Sequence, residues 1–235
     1  MSAAIKVRST RVKRAGRSTG GQNISLKRFD DERVQALQKE IRIIKGCMEK
    51  HPLTHPEGNK FNTITRIFNN CSLNQGGRNY SNYQNYSESE RLTMTIDGEP
   101  VCEIDIKSCY LAIIAGRCGI SLEQDPYSVL PYVKKHSGNC EDYTRARKLM
   151  KLMVSKLLSV DRQPTNFPEG ERVKMQDGTI KTLPVQEKYQ VPKKVSAKSL
   201  FAEIYQTYPF LKTFELGVFD LMYIESNVMT ATIFS

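Results

Sequence analysis

Glu103 and Asp105, two carboxylates two residues apart, are the side chains best spaced for chemistry in this chain. They lie in Val101–Ile106, VCEIDI, which reads as a β-strand. Successive strand side chains alternate between faces, so both acids point the same way. The alternation is imperfect, with Ile104 and Ile106 opposite them. Asp105 is the last acid before the chain turns into a helix at Ser108, whose hydroxyl can accept a free N–H of the first turn. A carboxylate at a strand end, beside a helix N-terminus, is a place where a metal ion and a phosphate can meet. A second candidate is Gly76-Gly77-Arg78 with Tyr80, Tyr83 and Tyr86. The glycines allow close backbone approach to a ligand, and the arginine and rings supply a cation and stacking surfaces. A flexible surface loop has the same composition.

The elements that must hold these residues show in the pattern around them. Leu92–Ile96 and Val101–Ile106 flank Asp97-Gly98, a strong hairpin signal. The mostly apolar helix 108–118 is expected to be buried against that hairpin. Upstream, Val34, Leu37, Ile41, Ile44 and Met48 recur at helical spacing over 30–50, and His51-Pro52 ends the run. Phe61–Asn70 is a strand or a short helix, and Asp125-Pro126-Tyr127 begins a short helical piece. The longest helix covers 141–160, with an apolar stripe and a basic face. Residues 161–196 are polar and irregular, with an Asp177-Gly178 turn closing Arg172–Lys174 on Thr179–Lys181. Lys193 and Lys194 in that stretch either meet a backbone phosphate or sit in a solvated loop. Helices follow over 197–214, bent at Tyr208-Pro209, and over 219–234. The expected class is α+β, the hairpin packing on helices 108–118 and 141–159.

The chain has 235 residues, a formal net charge of +10 and a pI near 9.3. That balance favours a polyanionic partner, nucleic acid first and an acidic membrane surface second. Residues 1–28 hold eight Lys/Arg and no acid, so 1–29 reads as a disordered basic arm that either touches phosphates or merely solubilises. No stretch approaches the roughly 18 apolar residues of a membrane helix, and the N-terminus lacks the apolar core of a signal peptide. Six cysteines without C-x-x-C spacing point to a reducing compartment and no zinc site.

Asp105-Ile-Lys-Ser108-Cys-Tyr110-Leu-Ala-Ile113-Ile resembles motif A of palm-domain nucleic-acid polymerases, with Cys109 and Leu111 where family B has Leu and Pro. Further resemblance lies in the order Arg66-Ile-Phe-Asn, Gly76-Gly-Arg78-x-Tyr80, Arg91 and Ile96-Asp-Gly-Glu-Pro-x-x-Glu-Ile-Asp105. It is similar to a group of phage-, plasmid- and bacterium-encoded palm polymerase-like proteins. Arg147-x-x-x-Lys151-Leu-Met-Val-Ser resembles motif B, although Ser155-Lys-Leu-Leu-Ser159 replaces the family's following Asn-Ser-x-Tyr-Gly. Tyr223-Ile-Glu225-Ser226-x-x-Met229 looks like the helix that precedes motif C, and the sequence stops before a His-Asp hairpin.

The resemblance implies that Asp105, with the Ile106 carbonyl, holds Mg²⁺ or Mn²⁺. It implies that Ser108 and Tyr110 stand near the nucleotide, and that Arg147 and Lys151 bind its triphosphate; a solvated face is the plain alternative for those two. Arg78 completes the edge of one cleft. The implied parts are a basic arm (1–29), a helix and linker (30–60), a partial palm (61–140), a fingers-like helix and basic loop (141–196) and C-terminal helices of an incomplete palm (197–235). The implied function is template-directed DNA synthesis for a phage or mobile element, by a fragment or a degenerate form. Template, primer and nucleoside triphosphates would be its partners, in bacterial cytoplasm or at the nucleoid, with no membrane. A ribonuclease H-type nuclease, with Glu103, Asp105 and Asp220 or Glu225, and a non-enzymatic basic nucleic-acid-binding protein are the alternatives.

Overall fold

Asp30 opens the first helix as its residue type suggests, its carboxylate accepting the Arg33 amide at 2.9 Å. Asp31 and Glu32 occupy the first turn, where the helix dipole favours anions, and Val34, Leu37, Ile41 and Ile44 form the buried stripe. The computed structural model describes residues 5–10, 12–14, 17–19, 21–160, 163–174 and 178–234. Its helices are α1 (Asp31–Lys50), α2 (Glu88–Arg91), α3 (Cys109–Arg117), α4 (Pro131–Lys134), α5 (Cys140–Leu158), α6 (Val185–Lys188), α7 (Ala197–Thr207) and α8 (Val218–Phe234). The first strands are β1 (Ile5–Arg8), β2 (Val12–Arg14), β3 (Arg17–Thr19), β4 (Asn23–Ile24), β5 (Leu53–Thr54) and β6 (Lys60–Phe61). They are followed by β7 (Thr65–Phe68), β8 (Gly76–Tyr80), β9 (Thr95–Ile96), β10 (Glu99–Pro100), β11 (Glu171–Lys174) and β12 (Ile180–Leu183). The protein is a mixed α+β chain of two compact units, Met1–Ile106 with Phe219–Ser235, and Lys107–Val218. No helix among the described residues is long and apolar enough to cross a membrane.

In the first unit, a four-stranded sheet runs β4-β1-β7-β8, with β1 and β7 parallel and the other pairs antiparallel. Ile5 and Val7 lie opposite Arg66 and Phe68 on its buried face. That face packs on Val34, Leu37 and Ile41 of α1, with Leu73 and Tyr223 of α8 alongside. Residues 5–8 therefore correct the expectation of a disordered arm over 1–29. Ile5-Lys6-Val7-Arg8 alternates with period two, so its cations stand off the core while its apolar side chains enter it. The 53–61 linker likewise supplies β5 and β6 to a second sheet, ordered β10-β9-β5-β6. The supposed flexible loop over 71–86 contains β8 and a 3₁₀ turn.

The Asp97-Gly98 turn forms, with both residues at positive φ (52° and 85°) as a two-residue hairpin turn requires. Its arms are shorter than expected, only Thr95–Ile96 and Glu99–Pro100. Residues 101–106 form no strand, and two causes are visible. Pro100 has no N–H to extend the edge ladder. The residues that would pair with 101–103, Leu92 to Met94, are taken by the C-cap of α2 and the turn after it, and Ser87 caps that helix through a reciprocal bond with Glu90. Ile104 is left 82 % exposed. Cys102 and Cys118 are exposed and Cys109 is half-buried, so these thiols do not fill a core.

In the second unit, Asn139 caps α5 by accepting the amides of Glu141 and Asp142. The apolar face of α5 buries Leu149, Met150, Met153 and Val154, and α7 buries Leu200, Phe201 and Ile204. α7 ends at Tyr208, and a 3₁₀ turn over Pro209–Lys212 makes the expected bend. The β11–β12 hairpin forms with Lys174 opposite Ile180; Asp177 of its anticipated turn lies outside the described residues. Residues 126–129 are a turn rather than a helix, and the buried Tyr208 hydroxyl donates to the Pro126 carbonyl there.

Two outcomes follow. Val7→Asp should cost roughly 3 kcal/mol or more in urea unfolding, because it buries a polar group in the sheet core. Lys6→Ala, one residue away, should change stability by about 0.5 kcal/mol or less. Similar small effects from both would mean that β1 is not part of the core. Burial, with the charges of Asp125 and the Tyr127 and Glu123 side chains, pushes the Tyr208 phenol up from 10 to about 12. The folded state thus holds that proton more tightly. The associated stability is full below pH ~10 and is lost as pH rises towards 12. Tyr189, also pushed up to about 12, acts in the same window. Tyr208→Phe should flatten part of the decline measured by denaturant unfolding across that range, and an unchanged slope would refute the assignment.

Candidate functional site

The first cluster is built around Arg66, a β7 residue only 1 % exposed. Its position on the core face of the sheet gives a guanidinium with little access to water, so each N–H needs a protein acceptor. Nε donates to the Gly77 carbonyl at 2.8 Å, Nη1 to Glu40 of α1 at 2.7 Å, and Nη2 to Asn227 of α8 at 2.9 Å. Ser226 donates to the same Gly77 carbonyl. Burial pulls the Arg66 pKa down, and the charge of Glu40 offsets part of that. The Phe68 ring lies 5.4 Å from the guanidinium carbon.

Gly76 and Gly77 are required by this packing. Both have positive φ (80° and 74°), and a Cβ on Gly76 would stand 2.3 Å from the Asn69 amide nitrogen. One on Gly77 would meet the Phe68 ring at 3.0 Å. Next in β8, Arg78 is a forked donor on one oxygen of Glu225 of α8, Nε to Oε2 at 2.7 Å and Nη2 to the same Oε2. A hollow of about 650 Å³ opens beside that pair, walled by Ile44, Met48, Ile96, Met229 and Ile233. Asp220 of α8 accepts from the Gln75 amide at 3.0 Å.

The acids of the 101–106 segment have different surroundings. Glu103 is held by Arg91 through bonds of 2.8 to 3.1 Å. Asp105 and Ile106 are exposed, in irregular backbone that leads out of the first unit. The shared strand face expected of the two carboxylates is absent because the strand is. Among the described residues, no three His, Cys, Asp or Glu side chains gather closely enough to hold a metal. Mg²⁺ often takes one or two carboxylates, several waters and the oxygens of a substrate phosphate. Asp105 is one exposed carboxylate, and Glu103 of the same segment is engaged by Arg91.

The second unit holds the other expected residues. Ser108 precedes α3, as its type suggests, but it adopts a left-handed φ of 54° and its hydroxyl makes no capping bond. That hydroxyl instead hydrogen-bonds the Tyr127 phenol, whose pKa burial raises against this bond. Tyr110 is half-buried in the first turn of α3. Arg147 of α5 makes a two-pronged pair with Asp125, Nε to Oδ2 at 2.6 Å and Nη2 to Oδ1 at 3.1 Å. Its guanidinium also lies 5.6 Å over the Tyr127 ring. Burial alone would raise the Asp125 pKa, but the Arg147 hydrogen bond and charge outweigh it and hold the carboxyl below the usual range. Asp125 Oδ1 accepts the Tyr127 amide as well, which fixes the turn. Lys151, one helical turn beyond Arg147, is exposed.

The structure thus brings Arg147 and Lys151 together on one helix face, and Ser108 to the ring that Arg147 covers. It gives Arg78 to Glu225 in the other unit. Sequence reasoning assigned no role to Arg66 or Glu40. The Arg at the head of Arg-Ile-Phe-Asn was a signal for the first, because a charge inside an apolar run needs a partner. Asp125 was noticed only as the start of an Asp-x-Tyr element, and its pairing with Arg147 spans 22 residues. No protein-family model matches this sequence, and neither a curated protein nor a solved structure matches it, so its functional reading rests on the residues just described.

Proposed function

We propose that this chain provides nucleotide- and nucleic-acid-binding parts of a palm-type, template-directed nucleotidyltransferase, serving the DNA replication of a phage or mobile element. One observation carries the proposal. Arg66, the Gly77-Arg78 strand and the Glu225-Ser226 helix are three separate pieces of the sequence resemblance, and their side chains form one bonded network. A likeness by chance in unrelated segments gives no reason for those segments to touch.

In this function Arg147 and Lys151 bind the triphosphate. A phosphate offers the Arg147 fork the same paired oxygens that Asp125 now supplies, with more charge, and can displace it. Lys151 adds a flexible second cation, and two basic residues a turn apart present to one polyphosphate. Tyr127 keeps the guanidinium plane in place when the carboxylate leaves. In the first unit, Asp105 and the Ile106 carbonyl are the groups that would hold a divalent ion, which would supply charge neutralisation for a phosphate bound there.

Calorimetry with a nucleoside triphosphate and Mg²⁺ tests the roles. Lys151→Ala should weaken nucleotide binding by about 1.5–3 kcal/mol, the range of a lost charge-assisted contact, and Arg147→Ala by at least as much. Asp105→Asn should abolish Mg²⁺ or Mn²⁺ binding measured by calorimetry without nucleotide, and unchanged metal binding would remove Asp105 as a ligand. If nucleotide binding is unchanged in both the Arg147 and Lys151 variants, the nucleotidyl-transfer function is wrong and a non-enzymatic nucleic-acid-binding protein takes its place.

A further inference from the structure

A second hollow, about 840 Å³, lies wholly in the second unit, between α4, the loop after α6 and the first turn of α7. Lys134, Lys135 and Lys194 stand on its wall, all exposed. The one carboxylate among the described residues that line it is Glu203, which already accepts the Tyr132 amide at 2.9 Å. Three lysines against that single carboxylate leave the described wall with an excess of positive charge. Ser196 caps α7, whose first turn contains no acid, so the positive end of that helix borders the same space. The His136 ring leans on Tyr132 with centroids 4.7 Å apart, and Val129, Pro131, Pro192 and Val195 add apolar surface between the lysines.

We propose that this hollow binds the phosphodiester backbone of a single-stranded nucleic acid, the lysines taking successive phosphates. Mobile, strongly hydrated ammonium groups suit phosphates spaced along a flexible strand. The apolar and aromatic wall accepts sugars or bases that a single strand can turn inward and a duplex cannot. A flat lipid surface does not enter a concavity. The inference extends only the nucleic-acid half of the proposed function, because neither Arg147 nor Lys151 lines this hollow.

The test is fluorescence anisotropy with a labelled oligothymidylate, titrated with salt. The full chain is compared with Lys134→Ala/Lys135→Ala/Lys194→Ala and with the charge-matched Lys39→Ala/Lys50→Ala/Lys212→Ala, whose lysines are exposed outside the hollow. The hollow variant should lose affinity at least about tenfold at low salt, and its log–log salt slope should be shallower by about 2, at ~0.7 per phosphate contact on single strands. The matched variant should keep the native slope. Equal losses in both would reduce the effect to net charge and overturn the site, as would an unchanged slope in the hollow variant. Loss on a DNA duplex or on phosphatidylserine vesicles, with oligothymidylate binding intact, would overturn it in favour of that ligand. Triphosphate binding should be unchanged in the hollow variant. Failure of the Arg147 and Lys151 substitutions with the slope effect present would remove the nucleotide function and leave this site standing.

Discussion

A guanidinium taken almost wholly out of water must be matched bond for bond, and the first unit is arranged around meeting that demand at Arg66. Its partners come from α1, β8 and α8, so one side chain fixes where each of these elements lies relative to β7. Apolar packing alone tolerates small slips of a helix across a sheet, whereas a directional set of hydrogen bonds does not. The Gly77 carbonyl accepts from both Arg66 and Ser226, so the strand that carries Arg78 is held at one point by two elements. The Arg78–Glu225 fork then repeats the same β8–α8 link one residue along.

Arg147 stands in a different situation in the second unit. It is partly exposed, and its carboxylate partner sits on a turn rather than in a core. Arg66 has the character of structure, almost wholly buried and with several neutral and charged acceptors. Arg147 pairs with the Asp125 carboxylate and leans on the Tyr127 ring, with part of its side chain open to water. The same residue type serves two ends, and the surroundings separate them.

Much of the helical framework was legible in the sequence because helical periodicity is a local property. The stripes of α1, α5 and α7 appear in the spacing of their apolar residues, and Asp30 at the start of α1 is a residue of the expected type. The β11–β12 pairing and the Asp97-Gly98 turn were legible for the same reason. What sequence could not supply was anything decided at a distance. Ile5-Lys6-Val7-Arg8 carries a strand alternation, but the surrounding cations gave it the look of a tail until Phe68 and α1 covered it. The 101–106 run has strand composition and lost its partner to the turn that ends a four-residue helix set by Ser87 and Glu90. Of the candidate site, the Arg147–Lys151 spacing was visible, while the Asp125 fork and the Arg66 network each join residues far apart in the chain.

The order in which the chain supplies the pieces of the first unit has a kinetic consequence. Its sheet and α1 come from the first hundred residues, but the α8 residues that accept from Arg66 and bind Arg78 lie near position 226, after the whole second unit. During synthesis from the N-terminus, Arg66 must wait with part of its hydrogen-bonding capacity unmet, while residues 107–218 can complete contacts among themselves. Pairings over some 150 residues are slow to close because loop entropy has to be overcome before any contact forms. On the ribosome the 107–218 unit therefore has what it needs to fold before the first unit is complete, and the sheet waits for α8 with Arg66 part-satisfied.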